Sequence, residues 1–139
     1  MERNRTQTAI LNIVGVIAGT VVMFVSNMVI GIIINIILQF PIISMLLSWP
    51  STPVLYAMSA TNLGSLLAGD AVCYKICGTT KNGFKPGMVF YGLLCFVLFL
   101  WAAYNAFLYY GFSDPVVCHI FGAIASVCII RRAKAEPTE

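Results

Sequence analysis

The chain has 139 residues, 60% hydrophobic and 9% charged, with 8 basic against 5 acidic side chains and a net charge of +3. A soluble domain carries roughly a quarter charged residues, so this chain cannot cover its surface in water. That excludes a soluble globular protein and makes lipid the solvent for most of its surface.

Residues 1–7 are short, polar and basic, a cytoplasmic N-terminal segment. They resemble the start of a signal peptide, but the apolar run behind them far exceeds the roughly 7–15 residues of a secretory core. An uncleaved first span is expected. A span needs roughly 17–25 apolar residues, and four stretches meet or approach that: 8–34, 53–77, 86–110 and 115–130.

The first run stays apolar to Phe40. As one straight helix from Thr8 it would be about 50 Å long, against a hydrocarbon core of about 30 Å. Strong tilt is one way to fit it; the preferred one is a bend near Gly31, with "FPIISMLLSW" lying along the outer interface and Trp49 as its anchor. "GVIAG" places Gly15 and Gly19 at GxxxG spacing, which lets helix backbones approach closely. Ala60, Gly64 and Ala68 repeat the small-residue spacing in the second span. Packing of spans one and two within one chain is the expected use, and a homodimer the alternative.

"GTTKNGFKPG" after span two joins Asn-Gly and Pro-Gly turn signals to two lysines and reads as a loop. In "GFSDP", Asp114 is expected to cap the fourth helix, with Pro115 as its first residue. "DAVCYKICG" and "DPVVCHIFG" match in register but belong to opposite membrane faces, so the match is coincidence. Residues 131–139 form a basic, then acidic, cytoplasmic tail.

All eight basic residues (Arg3, Arg5, Lys75, Lys81, Lys85, Arg131, Arg132 and Lys134) fall on one side of this four-span topology. By the positive-inside rule that side is cytoplasmic, so both termini are inside. The expected fold is all-α, a single four-span membrane helix bundle over 8–130, in a bacterial cytoplasmic membrane or its equivalent. Its basic face should favour anionic lipid headgroups, at about 1 kcal/mol per well-placed charge.

Asp70 is the first charged residue after Arg5. With Lys75 at the inner interface, Asp70 lies five residues deeper, about 7–8 Å. Five residues turn a helix through about 140°, so Lys75 points elsewhere and the partner must come from another span or from water. Asn12, Tyr91, Arg131 and Arg132 lie at matching depth, and Asn62 shares a helix face with Asp70. These residues form a candidate intramembrane polar site. It is either a structural carboxylate tied to Arg131 or Arg132, or an ion or proton site, the default reading of an ionisable group in a span. Asn27, Asn105 and His119, near Ser59, form a candidate outer polar cluster, with Tyr104, Tyr109 and Tyr110 as an interfacial aromatic belt.

Enzymatic chemistry is not expected. The chain has no Gly-rich phosphate loop, no HExxH and no GxSxG, and Asp70 and Asp114 lie on opposite faces. Cys73 and Cys77 are an i, i+4 pair without a further ligand at metal spacing, and one His excludes a bis-histidine haem within one chain. No metal or cofactor is expected, and no nucleic acid. The expected partners are the bilayer, anionic lipids, and either a second copy of the chain or another membrane protein. The leading reading is a non-enzymatic accessory or scaffold subunit. The rival is a small, dimeric transporter or channel for a cation, proton or lipid headgroup, working through Asp70.

Overall fold

The computed structural model describes residues 5–40 and 53–133; the expected interfacial segment with Trp49 lies outside them. The described residues form four helices and no strand: α1 (Arg5–Leu38), α2 (Pro53–Ile76), α3 (Pro86–Tyr110) and α4 (Asp114–Arg132). α1, α3 and α4 are long and apolar enough to cross a membrane. α2 has comparable length, 24 residues, but carries Ser59, Thr61, Asn62, Ser65 and Asp70. Of these Asn62, Ser65 and Asp70 are buried against the other helices. This is the build of a multi-pass integral membrane protein.

The helices close a ring in the order α1, α2, α4, α3. α1 packs along α2 and α3 along α4, and the two hairpins meet through α2–α4 and α1–α3 contacts. Large apolar side chains face outward all round, among them Ile13, Ile17, Phe24 and Met28 on α1 and Phe90, Val97 and Trp101 on α3. Tyr109, Tyr110 and Phe112 stand exposed at the end of α3, where an aromatic belt is expected.

α1 is continuous where a bend is expected near Gly31. It runs unbroken for 34 residues, about 51 Å at the α-helical rise, through Gly31 to Leu38. Gly31 has helical neighbours on both sides, and the absence of a Cβ alone does not break a helix. The start of α4 brings a correction. Ser113, in extended conformation, is the N-cap residue, and Asp114 and Pro115 are the first helical positions. Asp114 still sits in the first turn, where its charge complements the helix dipole.

The close approach of α1 and α2 rests on glycine. A β-carbon on Gly15 would lie 2.5 Å from Cys77 Sγ, and one on Gly19 would lie 2.8 Å from both Cys73 Cβ and Gly69 O. From the small-residue series of α2, a β-carbon on Gly64 would lie 3.0 Å from Ile30 Cδ1 of α1, whereas Ala60 is exposed and Ala68 half-buried. The tight contact therefore uses Gly69, Cys73 and Cys77 as the α2 surface, one face around from the series expected.

Gly69→Ala would drive a methyl into the Tyr91 hydroxyl and to 2.5 Å from Gly19 O, at a cost of about 1–3 kcal/mol for overpacking. Gly31→Ala would meet only Thr61 Cγ2 at 3.9 Å and should be neutral or slightly stabilising. Thermal unfolding of both variants in mild detergent checks the contrast.

Candidate functional site

α4 turns one stripe inward: Gly122, Ala123, Ser126 and Ile129 are buried. Arg132 continues that stripe three residues after Ile129, so its guanidinium can curl back into the bundle. Its Nη1 donates to Asp70 Oδ2 at 2.7 Å, with the arginine side chain 59% exposed and the aspartate side chain 3%. The pair thus joins a carboxylate inside the bundle to a cation rooted at its end, a charge-assisted contact of the stronger kind. Arg131 follows the opposite stripe, behind the exposed Ile124 and Val127, and is itself exposed.

The pair belongs to a larger clasp. Arg132 Cζ lies 5.9 Å from the centroid of the Tyr74 ring, and Lys85 Nζ lies 3.5 Å from it. Lys85 also donates from Nζ to Tyr74 O at 2.7 Å and from its backbone N–H to Ala133 O at 3.0 Å. One cluster therefore ties together α2, the α2–α3 loop and the end of α4. Cations held over an aromatic face are worth about 0.5–1 kcal/mol each where exposed. Asp70 Oδ1 is buried and has no hydrogen-bond partner among the described residues.

Tyr91 is fully buried beside this clasp. Its ring passes Gly19 and its hydroxyl reaches Gly69, donating to Leu66 O at 3.2 Å. Asn12 is buried one turn further toward the basic end, where its Oδ1 accepts from Gly87 N at 3.3 Å. Their hydrogen bonds go elsewhere than to Asp70; they fasten α3 to α2 and α1.

Asn62 belongs elsewhere than expected. Eight residues from Asp70, about 12 Å along the helix, it meets His119 of α4, Nδ2 to Nδ1 at 3.3 Å. Ser65 donates to Asn62 O at 3.0 Å, and Asn27 of α1 donates to Ser65 Oγ at 3.3 Å. A polar chain, Asn27–Ser65–Asn62–His119, buried at Ser65 and Asn62 and half-buried at its two ends, thus crosses from α1 through α2 to α4. Ser59 supports it one turn outward with a bond to Cys118 Sγ at 3.3 Å. Asn105 stands apart from this chain, donating back to Trp101 O of its own helix at 2.8 Å.

Ser65, Tyr74 and Lys85 are the residues that sequence reasoning missed. Ser65 lay on the signal: it sits three residues after Asn62 on the same face. Cys73 and Cys77 approach each other, Sγ to Sγ at 3.4 Å, and Cys95 reaches Met23 Sδ at 3.6 Å, all within the apolar core. Comparison with known protein families, curated proteins and solved structures finds no match, so the chemistry of the site rests on these residues alone.

Arg132→Gln would leave the Asp70 carboxylate buried and unpaired, with an expected loss of about 1–3 kcal/mol. Arg131→Gln, equal in charge and adjacent in sequence, should stay within about 0.5 kcal/mol. Thermal unfolding in mild detergent separates the two.

Proposed function

We propose that the chain is a four-span integral membrane protein without enzymatic activity, serving as an accessory or scaffold subunit of a membrane assembly. In this reading α2 is the fourth span, tolerated in lipid because its polar residues are sheltered by its neighbours. Arg5, Lys75, Lys81, Lys85, Arg131 and Arg132 gather at one end of the bundle, and the positive-inside rule makes that end cytoplasmic. Both termini then lie inside.

The observation that carries the reading is the closure of Asp70 by Arg132 at 2.7 Å. A carboxylate working as an ion or proton site needs access along the bundle, and here an arginine occupies its inner approach. Spanned charges that pair with each other hold helices together. With little polar surface for chemistry and wide apolar faces on α1 and α3, the chain is suited to binding within the membrane. A second copy or a different membrane protein could take those faces.

One observation favours the rival reading, a transporter or channel for a cation, proton or lipid headgroup: Asp70 Oδ1 is buried without a hydrogen-bond partner among the described residues. Flux assays in liposomes decide between them. The accessory reading predicts no protein-dependent flux of protons or monovalent cations, and no difference on Asp70→Asn beyond lowered stability. A flux that Asp70→Asn abolishes while the protein still folds would overturn it. On the accessory reading, intact mass spectrometry of the detergent-purified assembly should also find a stoichiometric foreign membrane subunit.

A further inference from the structure

A groove of about 1290 Å³ runs between the start of α1, the α2–α3 loop and the start of α3. It exceeds the roughly 300–1,000 Å³ of sites for drug-sized ligands, so it has room for more than a headgroup. Its two ends differ in chemistry. At the basic end it is lined by Arg5, Thr8, Thr79, Thr80, Lys81 and Asn82, and toward the bundle centre by Ile13, Val16, Ile17 and Phe90. Ile13, Ile17 and Phe90 are largely exposed, at 61%, 59% and 63%. Among the described residues, no acidic side chain lines it.

The loop wall is preformed. Thr80 N–H donates to Phe84 O at 2.8 Å, Gly83 N–H to Thr80 O at 3.0 Å, and Phe84 N–H to Thr80 Oγ1 at 3.2 Å. Gly83 takes φ 72, the left-handed geometry that glycine permits, and the tight turn carries Lys81 and Asn82 to the groove mouth. On the wall, Asn12 Oδ1 accepts from Gly87 N.

We propose that this groove is the seat of one anionic glycerophospholipid, its phosphate held by Arg5 and Lys81 and its acyl chain laid along Ile13, Ile17 and Phe90. The cations and hydroxyls match a phosphate, which accepts charge-assisted hydrogen bonds. The apolar wall continues from that mouth in the direction a lipid tail takes from its headgroup. Charge and apolarity are thus ordered along the groove as they are along a phospholipid. The proposal rests on the reading of this end of the bundle as the membrane interface, but it does not depend on an accessory role or on which face is cytoplasmic.

The test is native mass spectrometry of the full chain in mild detergent, titrated with phosphatidylglycerol and with phosphatidylcholine of the same acyl chains. One phosphatidylglycerol should be retained per chain at concentrations where phosphatidylcholine is not. The double variant R5Q/K81Q should weaken retention at least tenfold, and Ile17→Trp, which fills the apolar wall, should weaken it while leaving the charges in place. All three positions are exposed, and unchanged melting temperatures show that the variants fold. R131Q removes a cation from the same end but outside the groove, and should change nothing. Equal retention of the two lipids, or an equal loss on R131Q, would overturn the proposal in favour of non-specific contact. Displacement by inorganic phosphate alone, or by oleate at the same concentration, would overturn it in favour of a headgroup-only or a tail-only site. A scaffold reading that fails in flux or assembly assays leaves these lipid readouts untouched.

Discussion

A carboxylate buried in an apolar bundle must be neutralised, and that requirement organises the basic end of this protein. Asp70 sits on α2, and the arginine that meets it comes from α4, the last helix of the other hairpin. The ion pair therefore joins the two halves of the ring. Tyr74 and Lys85 extend it into a cluster, and the Lys85–Ala133 backbone bond draws the α2–α3 loop onto the end of α4. In water such a pair would be worth little. At the edge of a low-dielectric bundle the same contact is stronger, and its loss would leave a charge without solvent.

Above the clasp, packing takes over from charge. Lipid gives helices no hydrophobic reason to associate, so close backbone contact and buried hydrogen bonds must do so. Gly19 and Gly69 open the socket that Tyr91 fills, and its hydroxyl is satisfied on Leu66 O. Further out, the chain from Asn27 through Ser65 and Asn62 to His119 binds α1, α2 and α4. α2 thus contributes polar groups at each depth and is sheltered on account of them. This explains how a helix that carries Asn62, Ser65 and Asp70 holds its place in the bundle.

Much of this was legible in the sequence, because composition, span length and the grouping of basic residues follow from the cost of polar groups in lipid. The arginine partner of Asp70 was narrowed by depth to two neighbours; the choice of Arg132 lay in the small, buried stripe of α4, from Gly122 through Ser126 to Ile129. Asn62 was misassigned because sharing a helix face is not sharing a depth: eight residues separate it from Asp70. The run of α1 through Gly31 was not legible, since length in excess of the bilayer can be absorbed by tilt as well as by a break. The role of Gly69 was hidden for a different reason: only the position of Tyr91, set by α3, shows why that glycine must lack a side chain.

The central claim is that Asp70 and Arg132 act as one structural unit. A double-mutant cycle with Asp70→Asn and Arg132→Gln, read by reversible unfolding in mild detergent, tests it directly. The account predicts a favourable coupling of about 0.5–3 kcal/mol, as for side chains in direct contact. Additivity of the two substitutions, within about 0.3–0.5 kcal/mol, would contradict it and free Asp70 for another role.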